Sequence, residues 1–336
     1  MKLATYKDGS RDGQLVVVSR DLSAAHYATG VANHLQQVLD DWNFLSPQLQ
    51  DLSDTLNHGK ARHAFAFDPR MCMAPLPRAY QWAEGFAYPS LESTLHAASK
   101  SAAPATVDAE LRMVQLASDD FLGPCDDFVC ASDAYGIDLG AELAVITGDI
   151  PMGCAPERAL DGIRLMLLAN RLTLRHPTEA EQVSGSASLH GRPATAFGPV
   201  AVTLDELGDA WAMGRATLQV QSRCNGQMLG QCDAGPEMRF HFGQLIAHLA
   251  KTRRLRCGTA VGAGVISNEG VTVNGHTSWP RGSSCIAEKR AIDILQTGLP
   301  GTDYMKFGDT LRIEARGRDG QSLFGAIEQE IAPCVA

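Results

Sequence analysis

Long apolar runs are missing from this 336-residue chain. The densest, Leu165 to Ala169, is five residues long, against the roughly 18 that a membrane-spanning helix needs. No transmembrane helix is therefore expected. An excess of positive charge is missing too: 29 Lys and Arg stand against 38 Asp and Glu, a formal net charge of −9. That balance argues against nucleic-acid or anionic-membrane partners, since both reward positive surface. Cysteines at metal-binding spacing are missing as well. Nine are scattered over the chain, none as Cys-x-x-Cys, which argues against a zinc knuckle or a thioredoxin-type motif. A chain of this length needs no disulfide staples, so the thiols read as free, small hydrophobes in a reducing cytoplasm. The N-terminus turns polar at Lys7-Asp8-Gly9-Ser10, so no signal-peptide core is expected. There is no G-x-S-x-G nucleophile elbow. Gly262-x-Gly264 lacks the rest of a dinucleotide fingerprint. His241 and His248 lie seven apart, whereas a helical zinc pair uses i, i+4; they read as ordinary helix and strand-end residues.

What is present is an ordinary globular composition, 45% apolar and 20% charged, with the length for one large domain or a large domain and a small partner. Leu3–Tyr6 and Leu15–Val18 read as a hairpin around Asp8-Gly9 and Asp12-Gly13. Val31, Leu35, Val38, Leu39 and Trp42 share one helical face, and Leu45, Leu49, Leu52 and Leu56 share another. Ser46-Pro47 is the expected start of the second helix and Gly59 its expected end. From about residue 75 the pattern becomes β-rich. Strands are expected over 127–131, 142–147, 194–203, 258–267 and 310–315, with tight turns at Asn225-Gly226 and Asp319-Gly320. Helices are expected over 156–160 and 243–251, and residues 98–110 read as loop. The domain expectation is a small α/β unit over 1–74 followed by a β-rich α+β domain over 75–336.

Three strings give the second domain a family resemblance. They are the run Gly136-Ile137-Asp138-Leu139-Gly140-Ala141-Glu142 through Gly148, the run Pro193-Ala194-Thr195-Ala196-Phe197-Gly198-Pro199, and Ser284-Cys285-Ile286-Ala287-Glu288. Lys306-Phe307-Gly308-Asp309-Thr310 also fits. Collinear from about residue 75 to 331, they resemble the fumarylacetoacetate hydrolase family. The resemblance implies an α+β fold with a mixed-sheet β-roll domain behind a small N-terminal domain. It also implies a homodimer. Members cleave a carbon–carbon bond beside a carbonyl in β-dicarbonyl acids, and relatives decarboxylate, isomerise or tautomerise similar oxo acids. A Mg²⁺ or Ca²⁺ ion held by four carboxylates grips the substrate oxygens. A His paired with a distant Glu activates water.

Set on that pattern, the first metal carboxylate falls at Glu84, and the Glu-x-Glu pair falls at Gly140 and Glu142. The fourth, in an Asn-Asp-x-Ser-x-Arg string, falls at Arg171 in Asn170-Arg171-Leu172-Thr173-Leu174-Arg175. The His position holds Leu91, while the distant Glu is kept as Glu288. A substrate-binding Lys falls at Arg192 and a Thr near the substrate carbonyl at Val265; Tyr88 lies in the substrate-side string 82–88. Two ligand carboxylates are thus replaced, by Gly140 and Arg171, with Glu84 and Glu142 as remnants. A guanidinium about 4 Å from a dication is repelled by about 8 kcal/mol at an effective dielectric near 20. No metal cofactor is therefore expected.

Two readings stay open for each remaining group. Arg171 stands in for the metal, or it merely fills a vacated site with a salt bridge. Glu288 transfers protons, or it is held by Lys289, Arg290 or another cation. Arg192 clamps a substrate carboxylate, or it is surface charge. The expected function is metal-independent chemistry (isomerisation, cyclisation, C–C cleavage or decarboxylation) on a β-dicarbonyl or oxo-acid compound. The alternative is an inactive homologue that binds a ligand or partner, and an ordinary metal-dependent hydrolase ranks last. The expected setting is cytoplasmic.

Overall fold

A computed structural model describes residues 1–99, 110–185, 189–317 and 320–334. The chain opens with β1 (Lys2–Tyr6) and β2 (Gln14–Val18), paired antiparallel, then β3 (Ala24–Tyr27). Helices α1 (Leu35–Asp40) and α2 (Trp42–Asn57) lead to β4 (Phe65–Ala66). Next come β5 (Gln81–Gly85), α3 (Pro89–Ser99), β6 (Met113–Leu116), β7 (Phe128–Cys130) and the short β8 (Ile137–Asp138). Two long strands, β9 (Ala141–Thr147) and β10 (Ile163–Asn170), flank α4 (Pro156–Asp161). After β11 (Thr173–Leu174) and α5 (Arg175–Ser184) come β12 (Ala196–Phe197) and β13 (Ala201–Val202). The small hairpin β14 (Trp211–Ala212) and β15 (Arg215–Ala216) precedes the longer one of β16 (Gln219–Cys224) and β17 (Gln227–Asp233). The chain continues with α6 (Phe242–Leu249), β18 (Thr259–Gly262), β19 (Val271–Val273), β20 (His276–Ser278) and α7 (Ile286–Thr297). It closes with β21 (Thr310–Arg316) and β22 (Ser322–Pro333).

The fold is a mixed α+β architecture built on two main sheets. The larger runs β4-β3-β2-β1-β13-β10-β9-β18-β5-β6, with β12 also paired to β10. All its pairs are antiparallel except β18 with β5. The smaller runs β17-β16-β21-β22-β7. β9 is buried along its whole length, as a central strand covered on both faces must be. One face carries Leu143 and Val145 into the larger core cluster. The other carries Ala144 and Ile146 against Leu35, Val38, Leu39, Leu49 and Leu56 of α1 and α2. Through those helices, and through the β1–β13 pairing, the N-terminal segment shares a sheet and a core with the rest of the chain.

The strand and helix expectations over 127–131, 142–147, 310–315 and 156–160 match β7, β9, β21 and α4. Asn225-Gly226 makes the two-residue turn between β16 and β17, with φ of 50° and 74°, the backbone such a hairpin turn requires. Asp319 and residues 100–109 of the expected loop lie outside the described residues. Several boundaries need correcting. The expected helix over Val31–Trp42 is shorter: Val31 closes a turn onto Ala28, and the helix starts at Leu35. Ser46 is not an N-cap, because α2 starts at Trp42 after Asp41 and carries Pro47 inside it. The expected 194–203 strand is two short ones, since Gly198-Pro199 interrupts it and proline has no N–H for a sheet ladder. The 258–267 strand stops at Gly262, before Gly264 turns the chain at φ 91°. No described helix is long and apolar enough to cross a membrane.

Leu49 is fully buried where α2 meets the sheet. Leu49→Ala is expected to lower stability by about 2–5 kcal/mol. Because the core is shared, urea unfolding of this variant followed by circular dichroism is expected to remain a single transition. An early separate melting of the N-terminal segment would contradict that coupling.

Candidate functional site

Three neighbouring strands assemble the charged centre. Side chains of a strand alternate in direction, so Glu142 leaves β9 on the same face as Ala144, and Glu84 leaves β5 on the same face as Trp82. Between them runs β18, where Gly262 pairs with both Ala144 and Glu84. A Cβ at Gly262 would lie 2.9 Å from Glu142 Oε1 and 2.5 Å from the Trp82 ring. Glycine therefore makes room for the carboxylate. Two residues on, the Gly264 N–H donates to Glu142 Oε2 at 2.9 Å.

Arg171 enters from the end of β10. Its N–H donates to the Gly140 carbonyl at 2.8 Å. Asn170, just before it, accepts from the Gly140 N–H at 3.0 Å and donates to Gln329 Oε1 at 3.0 Å. The guanidinium is 4% exposed and its Nε lies 3.2 Å from Glu84 Oε1. That contact is an ion pair without hydrogen-bond geometry. Arg171 Nε and Nη1, Glu84 Oε2 and Glu142 Oε1 are all buried without a hydrogen-bond partner. Burial raises the Glu84 pKa against the pull of Arg171. Burial, then the charge of Glu84, raises that of Glu142 well above the usual carboxylate range, opposed by Arg171 and the Gly264 N–H. One cation facing two carboxylates in a dry site leaves a negative surplus that a proton relieves.

Gly140 adds no ligand here and has no space for one. A Cβ there would lie 2.7 Å from the Arg171 carbonyl oxygen and 2.9 Å from Val265 Cγ2. Among the described residues no group of three or more His, Cys, Asp or Glu could hold a metal ion. Hard divalent cations take six or more oxygens, and a guanidinium among two carboxylates does not match that demand.

The second part of the site sits at the start of α7. Glu288 is fully buried on its first turn. The Ser267 hydroxyl donates to its Oε1, while Oε2 has no partner. Burial pushes its pKa up to about 8, opposed by Ser267 and the Ser284 N–H. The adjoining cations do not hold it. Lys289 pairs with Asp293, and Arg290 donates to the Thr302 carbonyl and stacks 4.5 Å over the Tyr304 ring. The helix start is fixed from far away in sequence. Asp138 Oδ1 and Oδ2 accept from the N–H groups of Ile286 and Ala287 at 2.6 and 3.2 Å, and Oδ2 also accepts from Arg175 at 2.8 and 2.6 Å. The sequence reading passed over Asp138. Its one signal was an acid between Ile137 and Leu139, at strand spacing inside an apolar string.

The other expected residues divide. Leu91, on α3, joins Leu95 and Tyr304 against Val265, Cys285 and Ala287. This apolar contact reaches from the neighbour of Gly140 to the residue before Glu288. Tyr88 is buried, and its hydroxyl donates to the Ala234 carbonyl at 2.6 Å. Burial and the charge of Glu142 raise its pKa. Arg192 donates to Thr173 Oγ1 at 3.3 Å. Its Nε is buried without a hydrogen-bond partner, and it forms no ion pair among the described residues. Glu84, Glu142, Arg171, Gly140 and Val265 are thus brought together. Glu288 lies beyond Val265 and Ala287, and Arg192 is reached through β11, which pairs with β8 and its Asp138.

The folded protein holds the Glu288 proton more tightly than the unfolded chain does. Its contribution to stability is complete below about pH 4.5 and lost as pH rises through about 8. Wild-type stability is expected to fall by on the order of 5 kcal/mol across that window from this group. Glu288→Gln is expected to flatten the fall in urea titrations between pH 5 and 9. An unchanged slope would contradict the tight proton.

Comparison with known proteins places this geometry. The family model for fumarylacetoacetase N-terminal domain 2 matches residues 1–78, and that for the fumarylacetoacetate (FAA) hydrolase C-terminal matches residues 81–332. No curated protein matches the sequence. Among solved structures, the maleylpyruvate hydrolase of Sphingobium sp. SYK-6, in complex with manganese(II) and pyruvate, is 14% identical over 99% of each chain, with a TM-score of 0.65. The fumarylacetoacetate hydrolase of Exiguobacterium antarcticum is 16% identical over 99% of each, TM-score 0.64. The 5-carboxymethyl-2-hydroxymuconate delta-isomerase of Mycobacterium smegmatis is 13% identical over 100% of each, TM-score 0.60. At these identities the likeness is one of fold.

Proposed function

This chain belongs to the fumarylacetoacetate hydrolase family, and on that footing we propose that it carries out metal-independent proton-transfer chemistry on a β-dicarbonyl or oxo-acid compound. The observation that carries this reading is the set of buried polar atoms without a hydrogen-bond partner around Arg171: its Nε, which has only an ion-pair contact to Glu84, its Nη1, Glu84 Oε2 and Glu142 Oε1. Buried polar groups are nearly always satisfied. Orphans of both kinds at one point are what a site that receives a polar ligand leaves behind.

In this reading Arg171 does the work a dication does elsewhere in the family. Its Nη1, which has no hydrogen-bond partner, donates to a substrate carbonyl oxygen and stabilises the enolate that forms there. Glu288, with its pKa near 8 and one free oxygen, takes a proton from carbon as carboxylate and returns one as acid. Arg192, a cation without a carboxylate, binds the substrate's acid group. Isomerisation, cyclisation, C–C cleavage or decarboxylation all draw on this set. Hydrolysis fits it worst, because Leu91 cannot activate water.

A second reading, an inactive homologue that binds a ligand or a partner, has its own support. Glu84, Glu142, Arg171 and Glu288 are all at most 4% exposed, and Leu91 and Leu95 pack over the apolar patch between them.

Turnover of an acylpyruvate, followed by loss of dicarbonyl absorbance, separates the readings. The proposal expects turnover unchanged by EDTA, and a loss of at least about 100-fold in Arg171→Ala and in Glu288→Gln. Activity that appears only with Mg²⁺ or Mn²⁺ would restore the ordinary hydrolase. No turnover on any oxo acid tested would favour the inactive homologue. Calorimetric titration with Mg²⁺ and Mn²⁺ is expected to give no binding in the micromolar range, and one ion bound there would overturn the metal-independent site.

A further inference from the structure

The far edge of the large sheet carries a feature that the central site does not use. β6 pairs with β5 and, among the described residues, with nothing on its other side. Phe86 N–H donates to the carbonyl of Arg112, the residue opposite it in the β5–β6 register. Antiparallel pairs alternate between bonded and non-bonded, so Val114 and Leu116 also bond inward to β5. The N–H and C=O groups of Met113 and Gln115 then point outward, and none of them has a backbone partner among the described residues.

Beside this edge runs a groove of about 680 Å³, lined by Met113, Gln115 and Leu116 on one side and by His248, Lys251 and Arg253 on the other. The second wall is the end of α6 and the turn after it. That turn, Lys251-Thr252-Arg253-Arg254-Leu255-Arg256, puts four cations in six residues of a chain whose net charge is −9. Arg256 pairs with Asp149. Lys251, Arg253 and Arg254 are exposed and form no ion pair among the described residues. An exposed edge strand is usually blunted by proline, a bulge or a charged side chain of its own. Met113-Val114-Gln115-Leu116 has none of these.

We propose that this edge is a docking site for an acidic, extended segment of a partner protein, added to β6 as a further strand. The outward groups of Met113 and Gln115 supply the main-chain ladder, which gives affinity without sequence preference. Lys251 and Arg253 supply the selection. A strand presents every second side chain to the same side, so acids at alternate positions face the basic wall together. A second copy of this chain's own β6 edge is disfavoured, because it would bring a second basic turn to the same groove.

The test uses the full chain and a fluorescein-labelled heptapeptide alternating Glu and Thr, with binding read by anisotropy. Binding is expected to weaken as salt rises, to fall about tenfold in K251E/R253E, and to vanish when alternate peptide amides are N-methylated. Q115P, which removes an outward N–H that has no partner among the described residues, is expected to abolish it as well. Thermal melts check that the variants fold, and the N-methylated peptide tests the ladder without altering the protein. Equal binding of the N-methylated peptide would reduce the site to non-specific charge and overturn the proposal. Binding of an oligo-dT strand that K251E/R253E abolishes, with no peptide binding, would overturn it in favour of a nucleic acid.

Discussion

The centre of this molecule is governed by one buried guanidinium set against two buried carboxylates. Taking such charges out of water costs several kcal/mol each, and the arrangement persists only because the surrounding backbone leaves no alternative. The β9-β18-β5 order sets Glu142 and Glu84 on the same face with only Gly262 between them. Asn170, tied to Gly140 and Gln329, fixes the strand end from which Arg171 projects. The Gly264 N–H holds Glu142 and the Gly140 carbonyl holds the Arg171 N–H, which limits how far the cluster can move apart. Burial drives both carboxyl pKa values upward, and the charge of Glu84 adds to the rise at Glu142, so a proton held there relieves the cluster.

Glu288 has a raised pKa for the same leading reason, burial, with smaller contributions from the charges of Asp138 and Glu237. Its position depends on Asp138, which caps α7 across 148 residues of sequence and at the same time neutralises Arg175. Two buried acid centres thus lie on either side of the Val265–Ala287 apolar contact. Leu91 completes that contact with a side chain that packs and cannot titrate.

Legibility in the sequence followed the range of the interactions. The β1–β2 hairpin and the Asn225-Gly226 turn were readable because their determinants lie within a few residues. Helices α3, α5 and α7 were not called as helices. α5, for example, buries only Thr178, so it has almost no apolar stripe to read. The start of α2 was misplaced because Ser46-Pro47 has the chemistry of a helix start, yet packing of α2 on the sheet carries the helix back to Trp42. The 194–203 run looked continuous because its residues are mostly apolar, and Pro199 broke it at a position that periodicity does not weigh.

By itself the sequence determined the class of the fold, the family and the identity of the residues standing at Glu84, Gly140, Glu142, Arg171 and Glu288. It could do so because collinear motifs and local patterns survive in the order of the chain. Only the tertiary structure decided which of those residues meet. Arg171 pairs with Glu84 and not with Glu142, Glu288 is bound by Ser267 and not by Lys289 or Arg290, and Asp138 governs a helix it never adjoins in sequence. The physical reason is that partner choice between buried charges is set by strand register and by the space that glycines leave. Both depend on residues tens to hundreds of positions apart.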